Sequence, residues 1–229
     1  MRTPSTVVML CTLGLTLAAA MPSAHADGAE IALHGNTRGA PACIACHGTQ
    51  GEGAAASGFP RLAGLDAGYV HAQLEAFAAE KRTNAIMTPI AQALSAAERK
   101  QLADYYSGLG RDPGTVKAAR PQADKVDPIS GSAGAQLALK GRWENALPAC
   151  VQCHGGRGAG VGSAFPALAG QPALYIENQL RAWQQGTRAP GPLGLMKVIA
   201  DKLSTDDIKQ VAAYFAALSP DRTTRGDTP

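Results

Sequence analysis

PACIACHG, residues 41–48, sets two cysteines two residues apart with a histidine directly behind, and PACVQCHG at 148–155 repeats the arrangement. Outward from these stretches the likeness continues. GAEIALHG at 28–35 answers GAQLALKG at 134–141, and FPRLAG at 59–64 answers FPALAG at 165–170. Tyr69, Gln73, Leu74, Phe77 and Arg82 correspond to Tyr175, Gln179, Leu180, Trp183 and Arg188. After a short insertion in the second copy, Met87, Leu94, Ser95, Leu102, Tyr105, Tyr106 and Leu109 correspond to Met196, Leu203, Ser204, Val211, Tyr214, Phe215 and Leu218. One domain is written twice. The copies are residues 27–110 and 132–220, joined by a Pro/Gly- and charge-rich linker at 111–131 and followed by a tail at 221–229.

Each copy reads as all-α, because its apolar residues recur at helical spacing with little β-type alternation. Val70, Leu74, Phe77 and Ala78 make one stripe, matched by Ile176, Leu180 and Trp183. Leu102, Tyr105, Tyr106 and Leu109 make another, in a last helix that opens on a capping box in both copies, Ser95 to Glu98 and Ser204 to Asp207. The predicted unit is an N-terminal helix, C-x-x-C-H, a long Gly/Pro loop, a middle helix, a Met loop and a C-terminal helix. With 26 glycines and only 5% aromatic residues in the chain, such a unit has a thin core.

The opening thirty residues carry one basic residue, an apolar run over 7–20 and an Ala24-x-Ala26 step, the pattern of a secretory signal cleaved near Ala26. The run falls short of the roughly 20 apolar residues a bilayer span requires. A soluble periplasmic protein is expected. Cys11 leaves with the leader, so four cysteines remain, all in the two C-x-x-C pairs. Twenty-one basic against 18 acidic residues, with no basic stripe, argue against nucleic acid as a partner.

Paired cysteines one helical turn apart can capture the two vinyl groups of a haem as thioethers, and the next residue, His, is placed to ligate the iron. Cys43, Cys46 and His47 are the candidates for one covalently bound haem c, and Cys150, Cys153 and His154 for a second. The macrocycle would also fill the thin core. Structural zinc wants four protein ligands, and neither copy has a second pair of its own. A thioredoxin-like dithiol lacks its βαβ setting, and a disulfide scaffold gives no reason for the histidine. Beyond the leader only Met87 and Met196 remain, 40 and 42 residues after their histidines, which makes them the candidate sixth iron ligands. His34 and His71 are weaker candidates, because Lys140 and Glu177 stand in their places in the second copy.

C-x-x-C-H, then F-P-x-L-A-G, then Met before a Tyr-bearing last helix resembles a class I cytochrome c domain. Two in tandem in an exported chain resemble the dihaem cytochrome c4 family of Gram-negative bacteria. The resemblance implies pseudo-two-fold packing of the two haem domains and a redox carrier, not an enzyme, with no small-molecule substrate. It implies a quinol-oxidising complex as donor, a terminal oxidase as acceptor and loose inner-membrane association. It also implies a proline carbonyl that accepts a hydrogen bond from the ligand histidine. Pro60 and Pro166 fit that role, or are simply loop prolines, and the first copy is one residue longer from His to Pro. Arg82 and Arg188 are expected either to meet a haem propionate or to lie on a solvated face. Two alternatives stand beside the free carrier: the electron-transfer subunit of a periplasmic dehydrogenase, and a dihaem peroxidase-like enzyme.

Overall fold

A computed structural model describes residues 24–109, 131–189 and 191–220. The leader up to 23, the linker from 110 to 130 and the tail 221–229 lie outside the described residues. The first unit holds α1 (Ala24–His34), α2 (Ile44–His47), α3 (Ala67–Ala78), α4 (Met87–Gln92) and α5 (Ala96–Gly108). The second holds α6 (Ala133–Lys140), α7 (Val151–His154), α8 (Ala173–Gln184), α9 (Leu195–Asp201) and α10 (Thr205–Ala217). Among the described residues there is no sheet, only isolated bridges. No described helix is long and apolar enough to cross a membrane.

In both units the first and last helices cross where the first carries a glycine. A Cβ on Gly28 would stand 2.4 Å from the Gln101 carbonyl of α5, and one on Gly134 would stand 2.1 Å from the Gln210 carbonyl of α10. Both last helices begin with the expected capping box: Ser95 and Ser204 accept from the amides of Glu98 and Asp207, whose carboxylates reach back to the cap amides. Leu102 and Tyr106 enter the first core with Ile31 and Leu94, while Val211 and Phe215 enter the second with Leu137, Leu147 and Ile208.

The methionines differ from the expected loop placement. Met87 opens α4 and Met196 lies in the first turn of α9, so each sits at the start of a short helix that packs on the middle helix of its unit. The additional residue between His47 and Pro60 is at a loop tip. Its bridge joins Ala54 to Phe59 where the second copy joins Val161 to Phe165.

The tips make part of the contact between units. Ala55–Ser57 packs on α8, where a Cβ on Gly58 would lie 3.1 Å from the Leu174 side chain. Reciprocally, Ser163 of the second tip sits against Gly68 of α3, 2.9 Å from where a Cβ would be. Ala167 of the second unit joins Leu65, Val70 and Ala103 of the first in one apolar cluster. Each loop tip thus rests on the other unit's middle helix, a pseudo-two-fold arrangement.

Candidate haem sites

Cys43 caps α2 and Cys150 caps α7, both in helical conformation, so each Cys-x-x-Cys-His spans a single turn ending in a glycine of positive φ, Gly48 or Gly155. That turn is closed by His47 and His154 amides donating to the Cys43 and Cys150 carbonyls, each at 3.0 Å. The next loop is tied back to the histidine: Gly53 and Gly160 amides donate to the His47 and His154 carbonyls at 2.8 and 2.7 Å. Gly51 and Gly158 then accept from both amides of the Leu-Ala pair in F-P-x-L-A-G. A side chain at either glycine would strike the last helix, since a Cβ would stand 2.9 Å from the Tyr106 ring and 2.7 Å from the Phe215 ring.

This loop brings the proline to the histidine. His47 Nδ1 lies 3.0 Å from the Pro60 carbonyl oxygen, and His154 Nδ1 lies 2.8 Å from that of Pro166. A carbonyl can only accept, so Nδ1 carries the proton and Nε2 presents a lone pair. Burial lowers both histidine pKa values, partly offset by the proline hydrogen bond, which keeps the rings neutral and able to ligate a metal. Phe59 and Phe165 stand beside the two rings, at centroid distances of 6.3 and 6.1 Å.

The surroundings fit a large apolar group. Neither cysteine pair is joined as a disulfide. Burial pushes the Cys43 thiol up and the Cys150 thiol to about 11, the opposite of an activated redox thiolate. Cys43, Leu62, Leu74 and Ile90 rest on the first core while keeping part of their surface uncovered, as Cys150, Leu168, Met196 and Ile199 do on the second. The buried Tyr106 hydroxyl faces the Cys43 thiol at the edge of this wall. Thioether-forming sulfurs, a neutral imidazole and a half-open apolar wall are the donor set and lining a covalent haem requires.

His34 and His71 stand apart from these sites. They lie on exposed or half-exposed helix faces, paired with Glu30 at 3.8 Å and Glu75 at 3.4 Å. Among the described residues there is no cluster of three or more His, Cys, Asp or Glu that could hold a metal ion.

Arg82 and Arg188 are buried, 7% and 8% exposed, which rules out a solvated face. Their backbones bridge each other across the seam between the units. Arg82 lies over the Phe77 ring at 4.4 Å and Arg188 over the Trp183 ring at 4.0 Å. Arg82 donates to Gln73 of its own unit and to Tyr175 and Gln179 of the other, at 2.9, 3.1 and 2.5 Å. Arg188 mirrors this, donating to Gln179 at 3.0 Å, Gln73 at 2.9 Å and Tyr69 at 3.5 Å. In the sequence Tyr69/Tyr175 and Gln73/Gln179 are repeated residues with no role of their own. Their signal was that polar residues on a middle helix recur in both copies although the cysteine motif makes no demand on them. Arg61 and Gln171 join the seam asymmetrically: the Arg61 amide donates to Gln171 Oε1 at 3.1 Å, and Gln171 Nε2 donates to the Arg61 carbonyl at 2.8 Å.

The cytochrome c family pattern matches residues 26–109 and again 132–219. The chain belongs to the cytochrome c family. As a tandem cytochrome c it carries two covalently attached haem c groups and transfers electrons. It is 34% identical over 215 residues to a cytochrome c4 of Pseudomonas aeruginosa, covering 93% of this chain and 97% of that one, and so falls in the c4 family. It is 46% identical over 197 residues to a thiosulfate dehydrogenase electron acceptor of Stutzerimonas stutzeri, covering 86% of this cytochrome and 88% of that protein. The solved thiosulfate dehydrogenase TsdBA of Marichromatium purpuratum superimposes with a TM-score of 0.76 at 38% identity. The match covers 90% of this cytochrome and 42% of that longer chain.

Proposed function

We propose that this dihaem cytochrome is the periplasmic electron acceptor of a dehydrogenase, with thiosulfate dehydrogenase as the first candidate donor. The observation that carries the reading is the 46% identity, over most of both chains, to a thiosulfate dehydrogenase electron acceptor. A related module forming part of the TsdBA polypeptide supports it. This favours the dehydrogenase-associated role over the expected quinol-to-oxidase carrier, which the cytochrome c4 relative supports as the second reading.

In this proposal Cys43 with Cys46, and Cys150 with Cys153, hold the two macrocycles, and His47 and His154 each offer Nε2 to an iron. The Pro60 and Pro166 carbonyls keep the proton at Nδ1, fix ring orientation and raise ligand basicity. Met87 and Met196 would offer their thioether sulfurs as the second protein ligand to each iron. When bound, each haem exchanges one electron between ferrous and ferric iron, and Met ligation raises its potential relative to a second His. With a His and a Met both offered by this chain, no iron position would be left for a substrate, and the protein would transfer electrons without catalysing bond chemistry. Partners dock transiently through small interfaces.

The test mixes the oxidised holoprotein with thiosulfate dehydrogenase and follows haem reduction on adding thiosulfate. Rapid reduction of both haems supports the reading. No reduction by that enzyme, with ready reduction by a quinol-oxidising complex, would replace it with the second.

A further inference from the structure

Tyr106 of α5 and Phe215 of α10 hold the same place in their units. They are 2% and 1% exposed. Each accepts through its carbonyl from the glycine that ends F-P-x-L-A-G, Gly64 or Gly170, at 2.9 Å. Each meets the ring of the preceding tyrosine, Tyr105 or Tyr214, edge to face, with centroids 5.1 and 5.2 Å apart. Each also closes over the loop glycine behind the cysteine turn, Gly51 or Gly158. At this position the two units therefore differ by a single oxygen atom. In the first unit Tyr106 and Cys43 belong to one apolar cluster, and the hydroxyl is buried beside the Cys43 sulfur with no nitrogen or oxygen partner among the described residues. In the second, Phe215 and Cys150 share the matching cluster and the ring carries no donor. A buried hydroxyl that lacks a strong acceptor lowers stability, and Phe215 shows that the same fold takes the ring without the oxygen. Packing alone gives no reason for that oxygen.

We infer that Tyr106 tunes the first redox site: its O–H, held against the Cys43 sulfur, keeps a fixed donor dipole at the edge of the attached haem and raises that haem's potential, while Phe215 leaves the second site without the device. The inference rests on covalent attachment at Cys43 and is independent of which protein supplies the electrons. Once that sulfur is a thioether it has no proton to give, so the phenol is the donor and the sulfur a weak acceptor. The positive end of the O–H then points toward the redox group. In an apolar wall such a dipole is poorly screened, and hydrogen bonding around the macrocycle is one of the levers by which a protein sets a haem potential. It favours the electron gained on reduction over the ferric charge. The free thiols register the same field. Burial pushes both Cys43 and Cys150 up, but the Tyr106 hydrogen bond opposes the rise at Cys43, and no side chain does so at Cys150. A group that stabilises negative charge on that sulfur also favours an electron arriving beside it. Burial holds the phenol itself protonated, above its ordinary value, so the donor persists through the physiological range.

The test exchanges the two residues in the holoprotein, as Y106F, F215Y and the double exchange. Intact mass must show two haems per chain in every variant, which separates failure of this inference from failure of attachment. Redox titration followed by NMR of the haem methyl resonances assigns each transition to its unit. Y106F should lower the first midpoint, shifting that haem's oxidised-to-reduced ratio about two- to fivefold at a fixed potential, the size of one weak neutral hydrogen bond, and should leave the second midpoint in place. F215Y should raise the second midpoint by a similar factor, and the double exchange should do both. The thioether C–S stretch in the resonance Raman spectrum is a readout that packing would not move: the wild type should show a deuterium-oxide shift at the first haem, and Y106F should abolish it. F215Y must fit an added oxygen into a filled core, so Y106F and the Raman measurement decide the matter if that variant does not fold. Unchanged midpoints in Y106F would overturn the inference. A wild-type C–S stretch that ignores deuterium oxide would overturn it by assigning any change in potential to packing. A second midpoint that falls in F215Y would do the same, since added polarity rather than an oriented donor would then be acting.

Discussion

The two methionine segments, proposed to serve the same role, have different support. In the first copy Asn84 Oδ1 accepts from the amides of both Ile86 and Met87 at 2.9 Å, while the Asn84 amide donates to Thr88 Oγ1 at 3.0 Å. The chain entering α4 is thereby fastened by side chains. In the second copy the longer GPLGLM segment has no side-chain cap on α9. Leu193 there is held at φ 58 and is 91% exposed, with Leu195 and Val198 also exposed. A non-glycine residue in that region costs on the order of 1 kcal/mol. Two copies of one proposed ligand set on unequal scaffolds teach that the proposed Met196 site is the more easily opened of the two.

The largest way to break the symmetry is to remove one attachment. Cys43→Ser/Cys46→Ser should leave a protein with one covalent haem on the second unit, and Cys150→Ser/Cys153→Ser the converse, both counted by intact mass. The affected unit should also lose cooperative unfolding, since its thin core relies on the macrocycle. Next in size is the axial ligand. Met87→Ala or Met196→Ala should lower the potential of one haem only and let carbon monoxide bind that reduced site, whereas the unaltered protein binds none. Binding of carbon monoxide without any substitution would revive the peroxidase-like alternative.

A smaller effect separates the copies by pH. Arg38 and Asn36 hold Glu98 in the first, and Arg142 holds Asp207 in the second. Glu98 sits below its ordinary value because Ser95 and Asn36 hydrogen bonds and Arg38 outweigh its burial. The Arg142 hydrogen bond, opposed by burial and aided by Ser204, takes Asp207 down to about 2. A folded value below the unfolded one contributes stability that is full above about pH 4 and is lost as pH falls toward 2. Asp207→Asn should therefore destabilise the second unit by about 1–3 kcal/mol at neutral pH, and the deficit should shrink in acid. Thermal unfolding at pH 7 and pH 3 checks both parts.

The finest test exchanges the Met-segment supports. Imidazole should displace Met196 at lower concentration than Met87. Asn84→Ala removes about 1 kcal/mol of capping and should make Met87 roughly fivefold easier to displace, narrowing the gap. Leu193→Gly relieves the positive φ and should narrow it from the other side by up to about 1 kcal/mol. Equal displacement in all three proteins would show that the different supports do not matter.

Local order was readable in the chain because its causes are local. Capping boxes act within four residues, amphipathic stripes repeat every turn, and Cys-x-x-Cys-His is one turn of helix. Duplication made the rest of each unit legible, down to the additional residue between His47 and Pro60, although not the tip that absorbs it. The short helices that begin at or near Met87 and Met196 were hidden behind nearby Gly and Pro, which read as loop until packing against the middle helix supplies the stabilisation.

What lies between the copies had no such signature. Sequence alone showed Tyr69, Gln73 and Arg82 recurring as Tyr175, Gln179 and Arg188, but a recurrence does not say which copy a side chain serves. Only the packed fold reveals that Arg82 reaches Gln179, 97 positions away, and Arg188 reaches Gln73. The physical reason is range. Helix, cap and cysteine turn are specified by neighbours along the chain, whereas a buried charge takes its partners from whatever the tertiary structure brings within 3 Å. The composition of each unit was settled residue by residue; the seam that joins them was settled by docking.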